Sequence, residues 1–291
     1  MIKTIQFLRI KSFVFTIVSL LISSCIFGQS PQKLGKVANA AITEISGIVP
    51  YNFAKGYFWV HNDSGDDANI YLIDSTASLK VKVEIEDVRA IDLEDIAKFQ
   101  IAGENFLILA DIGNNLSNRE VLSLYVIKEP RIDFNTKLTS LKVPLYQEIK
   151  IRYADKRRDA EALFVDPIDN QIYILSKRDF ESTVFAFHYT INNSEVQVLH
   201  PVLTLPFTFT TGADISADGK YIVAKNLTTV YLWERNNSTS VLETLKQTPR
   251  KIPYTIEPQG EAICFDLANR FLYTISERPF GLDSYLYKYD F

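Results

Sequence analysis

The chain contains five copies of one pattern, and this repeat restricts its fold more than any other feature. Each copy has a short apolar strand that starts beside a polar residue, a turn rich in Asn, Asp and Gly, and a second apolar strand. The first strands begin at Ser46 (ISGIV), Glu94 (LEDIA), Glu161 (AEALF), Asp214 (ADIS) and Glu261 (GEAICF), which are 48, 67, 53 and 47 residues apart. The second strands are YFWVHN, FLILAD, IYILSK, YIVAK and FLYTISE.

A third strand follows in every copy, and a fourth can be read in the first four, as in LKVKVEI (79–85) and VQVLHPVL (196–203). Four-stranded antiparallel units that recur about every 40 to 50 residues are typical of a β-propeller. We therefore predict an all-β chain forming one propeller of five four-stranded blades. A sixth blade could be hidden in the 67-residue interval. A β-sandwich would explain the strands but not their common spacing.

The last copy ends at Phe291 after three strands, so its outer strand must come from elsewhere. The segment 33–42, which precedes the first copy, is strand-like and could pair with the strand that ends near Tyr289. Such pairing would close the ring and leave no exposed sheet edge.

The first 28 residues are predicted to be a signal peptide, with a basic start and the apolar run FVFTIVSLLI (13–22). Residues 22–25 also fit a lipobox, which would leave a lipid on Cys25, the one membrane attachment expected. The domain then spans 29–291, and the protein is exported to the periplasm, the cell surface or the medium. Without residues 1–28 the chain has 28 basic and 35 acidic residues, a formal charge of about −7, which argues against nucleic-acid binding. Cys264, in the apolar run AICF, is expected to be a small buried residue.

The recurring acids are predicted to converge on one mouth of the propeller channel. In a propeller blade the first strand lines the channel and the second runs back beside it, so the first strand starts where the second ends. The predicted ring consists of Ser46, Glu94, Glu161, Asp214 and Glu261. The residues expected beside it are Asn62, Asp63, Asp95, Asp111, Asp159, Lys177, Lys225 and Glu277.

So many facing carboxylates need compensation, because each raises the pKa of the next. One hypothesis is a hard divalent cation, above all Ca²⁺, which binds six to eight oxygen ligands. Its candidate ligands are Glu94, Asp111, Glu161, Asp214 and Glu261. The other hypothesis is a network of ion pairs with basic residues of the rim.

The basic and amide groups of the rim suit a small, anionic ligand. The candidate ligand-binding residues are Asn62, Asp63, Arg119, Lys177, Arg178 and Lys225. If the protein is an enzyme, metal-assisted hydrolysis of a phosphoester, ester or lactone fits this site, with Glu161 or Glu261 as the base. The alternative is a non-catalytic propeller that binds a glycan, a peptide or a partner protein. In both cases the protein is expected to be a monomer.

The motifs ISGIV, FWVHNDSG, DLEDIA, LADIGNN, DAEALFVD, TGADISADGK and QGEAICF together resemble exported bacterial propellers of the phytase-like kind. They are more distantly similar to the gluconolactonase and regucalcin propellers. The resemblance covers nearly all of the chain after the signal peptide. It implies a propeller fold and a phosphoester hydrolase with calcium-binding acids around a phosphate site.

Overall fold

The computed structural model describes residues 31–191, 194–236 and 238–291. The part from Pro31 to Phe291 forms one compact unit. The predicted signal peptide, its lipobox and Cys25 lie outside the described residues. None of the helices in the described part has the length and apolar character needed to cross a membrane.

Nearly all of the regular secondary structure in the described chain is β-strand. Its strands are β1 (Gln32–Lys36), β2 (Ile45–Pro50), β3 (Tyr57–Asn62), β4 (Asn69–Asp74), β5 (Leu79–Ile85), β6 (Leu93–Ile101), β7 (Glu104–Asp111), β8 (Leu122–Lys128), β9 (Ser140–Val143), β10 (Gln147–Tyr153), β11 (Ala160–Val165), β12 (Gln171–Ser176), β13 (Ser182–His188), β14 (Gln197–Leu199), β15 (Pro201–Leu205), β16 (Thr210–Ile215), β17 (Tyr221–Asn226), β18 (Val230–Glu234), β19 (Arg250–Ile252), β20 (Gly260–Phe265), β21 (Phe271–Ser276) and β22 (Tyr285–Asp290). One short helix, α1 (Val241–Leu245), precedes β19, and a 3₁₀ turn (Pro279–Gly281) precedes β22.

These strands form five sheets, which are the five blades of a β-propeller, and the predicted fold class is confirmed. Blade 1 is β2-β3-β4-β5-β9, and blade 2 is β6-β7-β8-β10-β14. Blade 3 is β11-β12-β13-β15, and blade 4 is β16-β17-β18-β19. Blade 5 is β20-β21-β22-β1, so the first described strand completes the last blade.

The ring closes as predicted, through antiparallel pairing of β1 with β22. Gln32 lies opposite Lys288, and Lys36 lies opposite Tyr285. The core is divided among the contacts between neighbouring blades, because each blade is a sheet with apolar side chains on both faces. One hydrophobic cluster lies between each adjacent pair of blades, including the pair formed by blades 5 and 1. Cys264 is buried in the cluster between blades 5 and 1, as expected.

The prediction for the fourth strand of blade 3 was wrong in part. The segment 196–203 is not one strand, because it divides at His200 between two blades. β14 pairs in parallel with β10 of blade 2, whereas β15 pairs with β13 of blade 3. The long interval before Glu161 contains two strands. β9 pairs in parallel with β5 of blade 1, and β10 is the fourth strand of blade 2, where it pairs with β8. β9 covers the edge of β5, and β14 covers the edge of β10, and both edges would otherwise be exposed.

The first two strands of every blade share one irregularity of register, in which one residue of the first strand has no partner on the second. A β-bulge of this kind re-aims a side chain and often lies beside a functional site. The bulged residues are Ser46, Glu94, Glu161, Thr211 and Glu261. Thr211, rather than the predicted Asp214, therefore occupies the equivalent position in blade 4.

Candidate functional site

Three of the five bulged residues are glutamates that come together around one lysine. Lys177, which directly follows β12, makes an ion pair with Glu161 of its own blade. Its Nζ also lies 3.3 Å from Oε1 of Glu261, which belongs to blade 5. Ser46 joins this group, since its Oγ donates to the Glu94 carbonyl at 2.5 Å and to Glu261 Oε2 at 3.4 Å. The bulges of four blades thus meet at one mouth of the channel, which we call the acid mouth.

Glu94 is the residue of the acid mouth with the least compensation. It is 1% exposed, and none of the ion pairs of the described residues includes it. Carboxylate oxygens of Asp63, Asp92 and Glu94 lie within 4.8 Å of one another, and so do those of Glu94, Asp159 and Glu161. Glu94 is therefore common to two groups that could each hold a cation.

The crowding of acids perturbs their ionisation. Burial, followed by the negative charges of Glu161 and Asp63, holds the pKa of Glu94 well above its usual range. Burial and the charge of Glu261 likewise raise the pKa of Glu161. The pKa of Asp63 is raised to about 8 by burial and by the charge of Asp92.

Two further groups at the acid mouth respond to Glu261. Burial and the negative charge of Glu261 raise the pKa of Glu277 to about 8. Burial acts on the Lys177 ammonium in the opposite sense, yet the charges of Glu261 and Glu161 outweigh it and raise the pKa of Lys177. Burial and mutual repulsion thus favour the protonated forms of Glu94, Glu161, Asp63 and Glu277, whereas the neighbouring carboxylates favour the charged form of Lys177.

Asp214 does not belong to the acid mouth. It lies three residues beyond the bulge of its strand, where Oδ2 accepts the amide of Phe265 in blade 5 and Oδ1 accepts its neighbour's amide. Asp95 makes the same kind of link, because Oδ2 accepts the amide of Leu163 in blade 3. Burial raises the pKa of Asp214 to about 6. These two aspartates join neighbouring blades, and Asp214 is a member of neither group of cation-binding acids among the described residues.

Lys225 was predicted to bind ligand, but it is completely buried. Its ammonium donates to the carbonyl of Gly260 in blade 5, and burial lowers its pKa to about 8. The position recurs in blade 1. Gly212 faces Lys225 across β16 and β17, as Gly47 faces His61 across β2 and β3. A Cβ on Gly47 would collide with the His61 ring, so this glycine leaves room for the imidazole, whereas a Cβ on Gly212 would collide with the backbone carbonyl of Glu261.

The side chains of Asn62 and Asp111 accept hydrogen bonds from backbone amides of nearby loops. Oδ1 of Asn62 accepts the amides of Thr43 and Glu44, at 3.1 and 3.2 Å. The carboxylate of Asp111 accepts two backbone amides of the preceding loop and lies 2.8 Å from Nη1 of Arg119. With its oxygens engaged in this way, Asp111 is not a member of either group of cation-binding acids.

The remaining predicted basic residues lie beside the acid mouth. Arg119 also donates to the carbonyl of Gly113, and Nε of Arg178 lies 2.7 Å from Oδ2 of Asp159. A cleft of about 220 Å³ adjoins Asp159, and its walls carry Lys156, Arg157, Arg158, Arg178, Ser117 and Asp179. An anion that reached the mouth past Asp159 would cross this basic cleft.

Sequence reasoning missed Asp92 and Gly113. Asp92 lies two residues before Glu94, in the motif DLED, and is therefore close in sequence to a predicted site residue. Gly113 follows β7, where a Cβ would collide with the carboxylates of both Glu94 and Asp92. The glycine therefore leaves room for two acids to lie side by side.

No protein-family profile matches the chain, and no curated protein matches it. Among solved structures it is similar to an aldose sugar dehydrogenase from Streptomyces coelicolor in its PQQ-bound form. That likeness has 10% identity and a TM-score of 0.47, and covers 89% of this chain and 98% of the other. An auxiliary nutrient binding protein from Bacteroides thetaiotaomicron has 10% identity and a TM-score of 0.45, with coverages of 84% and 58%. The chain thus spans little more than half of that protein. Because no family profile and no curated protein matches, the phytase-like resemblance stays a prediction.

Proposed function

We propose that this protein is an exported propeller that binds Ca²⁺ at the acid mouth and, on the ion, a small anionic ligand. The observation that carries the proposal is the state of Glu94, a buried glutamate surrounded by other carboxylates and included in no ion pair of the described chain. Burying a charge without a partner is costly, so such a residue either stays protonated or acquires a cation.

The donor set fits calcium. The groups around Glu94 offer only carboxylate oxygens, which are the ligands of a hard cation that tolerates variable geometry. Glu94 would hold the ion together with Asp63 and Asp92 or with Asp159 and Glu161. Gly113 contributes by leaving the space between Glu94 and Asp92 free of any side chain.

Lys177 would compete with Ca²⁺ for the carboxylates of the acid mouth. Its ammonium already neutralises part of the charge of Glu161 and Glu261, which is the network of ion pairs that the sequence allowed as an alternative. One lysine supplies one positive charge to three buried glutamates, so a deficit remains. Lys177 then makes Ca²⁺ binding weaker without replacing it.

The bound ligand would be an oxyanion or a carbonyl compound. Ca²⁺ would polarise such a group and thereby favour hydrolysis of a phosphoester, ester or lactone. Glu161 and Glu261 are the candidate bases, and Lys177 would hold them in position. The basic cleft beside Asp159 would attract the anion. A propeller that binds its ligand without catalysis is the alternative.

Calorimetric titration of the metal-free protein with Ca²⁺ tests the proposal. Glu94→Gln keeps the shape of the side chain and removes its charge, and it should abolish saturable binding. Glu104→Gln is the matched control, because Glu104 begins the second strand of the same hairpin and is exposed. The proposal fails if the wild type does not bind Ca²⁺, or if both variants bind it as the wild type does.

Catalysis is tested separately with a panel of phosphomonoesters, carboxylic esters and lactones, each with Ca²⁺ and with EDTA. Calcium-dependent turnover that disappears in Glu94→Gln would support a hydrolase. Calcium binding without turnover of any of these classes would favour the non-catalytic alternative, whose ligand would be a glycan, a peptide or a protein.

A further inference from the structure

The opposite mouth of the channel contains a second cavity with the reverse charge. It measures about 180 Å³ and is lined by Asn52, Lys98, Phe99, Gln100, Asn105, Pro167 and Ala217. Asn52, Pro167 and Ala217 belong to the turns between the first two strands of blades 1, 3 and 4, and the other residues belong to the first hairpin of blade 2. These turns lie at the ends of the first strands far from the bulges. None of the lining residues is acidic.

Lys98 is the only charged residue of this lining, and its ammonium has no assigned acceptor. Among the described residues, no hydrogen bond or ion pair includes the Lys98 side chain, although Lys98 is partly buried. A lysine ammonium offers three donors, and satisfying them within a cavity requires either water or an anion.

The charge of Lys98 acts on two carboxylates, Glu129 and Asp214: burial raises the pKa of each, and the lysine offsets part of that rise. Among the described residues, neither makes a hydrogen bond or an ion pair with the Lys98 ammonium. Glu129 accepts the amide and the side-chain Nδ2 of Asn52, at 3.1 and 2.8 Å, and also the indole Nε1 of Trp59 at 3.0 Å. Asp214 accepts two backbone amides, both at 2.8 Å. Their oxygens are therefore engaged by neutral donors, and the lysine donors remain available to a ligand.

A second donor faces the same space. Oδ1 of Asn105 accepts from Nε2 of Gln100 at 2.9 Å, which directs the Nδ2 group of Asn105 away from that bond. Nδ2 of Asn105 makes no hydrogen bond among the described residues. A cation and an amide donor together, with no lining carboxylate, form the chemical complement of an anion.

We propose that the Lys98 cavity is a binding site for a small oxyanion, separate from the acid mouth. Its volume is below the roughly 300 to 1,000 Å³ of pockets for drug-sized ligands, so the ligand is of the size of inorganic phosphate or sulfate. The anion accepts from the Lys98 ammonium and from Nδ2 of Asn105. The site does not depend on calcium or on the proposed function.

The test is calorimetric titration with inorganic phosphate in the presence of EDTA. The wild type and Glu94→Gln should bind equally, because the acid mouth lies at the other end of the channel. Hydrogen bonds to a charged group contribute about 1.5 to 3 kcal/mol, so Lys98→Met should weaken binding about tenfold or more. Lys128→Met is the matched control, since Lys128 ends a strand of the same blade, is exposed and lies outside the cavity.

A second pair of variants guards against misfolding of Lys98→Met. Ala217 is exposed on a turn in the cavity wall, so Ala217→Asp should leave the melting temperature unchanged while its charge repels phosphate. Ala217→Asn, of the same shape and neutral, should bind as the wild type does. The proposal is overturned if the wild type shows no saturable phosphate binding. It is equally overturned if Ala217→Asp and Lys98→Met bind phosphate as tightly as their controls.

Discussion

Methionine in place of the partly buried Lys177 should lower stability, whereas methionine in place of the fully buried Lys225 should raise it, because the two ammonium groups have different partners. Lys177 neutralises Glu161 and Glu261, and these charges raise its pKa. Lys225 contacts a carbonyl oxygen, and burial lowers its pKa. Methionine approximates the shape of lysine in both places and removes the charge.

The expected loss at Lys177 comes from the carboxylates that it leaves behind. Removing one partner of a buried ion pair typically costs about 3 to 5 kcal/mol. Protonation of Glu161, whose pKa is already raised, should hold the loss at pH 7 near the lower limit, about 3 kcal/mol. If Lys177 and Ca²⁺ compete for the same glutamates, calcium should restore most of this loss.

The expected gain at Lys225 comes from a charge that is no longer buried. Its pKa of about 8, against an ordinary 10.5, means that the folded state disfavours the ammonium. At about 1.4 kcal/mol per pKa unit this penalty is about 3 kcal/mol below pH 8, and it disappears above pH 10.5. The hydrogen bond to Gly260 offsets part of it, at about 1.5 to 3 kcal/mol for a charged donor. Lys225→Met should therefore be up to about 1.5 kcal/mol more stable at pH 7 and lose this advantage by pH 10.5.

Urea unfolding at several pH values, without calcium, measures both variants. The reasoning is refuted if Lys225→Met is destabilised at pH 7 by as much as Lys177→Met. It is also refuted if the effect at Lys225 does not depend on pH.

Three further outcomes are expected. Deleting residues 29–42 should lower the melting temperature sharply, because it removes β1 and exposes the edge of β22; a truncated protein that melts like the full chain would contradict ring closure. Without calcium, the free energy of unfolding should fall as pH rises from about 4 to 8, since Asp63 and Glu277 keep protons in the folded state that the unfolded chain releases. A urea series at increasing pH that shows no fall would count against this ionisation. With calcium at a hundred times its dissociation constant, stability should rise by about 2.7 kcal/mol, and the double variant Glu161→Gln, Glu261→Gln should lose most of that gain in a thermal melt.

The number of blades and the ring closure could be predicted because they depend on local signals. Turn residues and apolar strands recur in each hairpin, and the three-strand last copy required an outer strand from the N-terminal segment. β9 and β14 could not be predicted. Each is a short strand that pairs in parallel with the edge of a preceding blade, and nothing in a short apolar run shows which edge it will join.

The site was predicted only in part, because in blade 4 the repeat was aligned on an acidic residue and not on the pairing register of its first two strands. Asp214 offered a carboxylate near the right place, whereas the bulge lies at Thr211. The spacing between the first and second strands would have shown that Thr211 is the equivalent residue. Thr211 lies 15 residues before Asn226, which pairs with Thr210. In the same way, Glu161 lies 15 residues before Ser176, which pairs with Ala160. Gly212 was a second signal that blade 4 is aligned one residue after Thr211, because a Cβ there would collide with the backbone carbonyl of Glu261 in blade 5.

The most direct test of the central claim is a crystal structure of the protein soaked with calcium and phosphate. The account predicts electron density for an ion at the acid mouth, with Glu94 oxygens about 2.3 to 2.6 Å from it. Anomalous scattering would identify the ion as calcium. The contrary result is a calcium-soaked crystal without an ion at Glu94, in which Lys177 alone lies between Glu161 and Glu261.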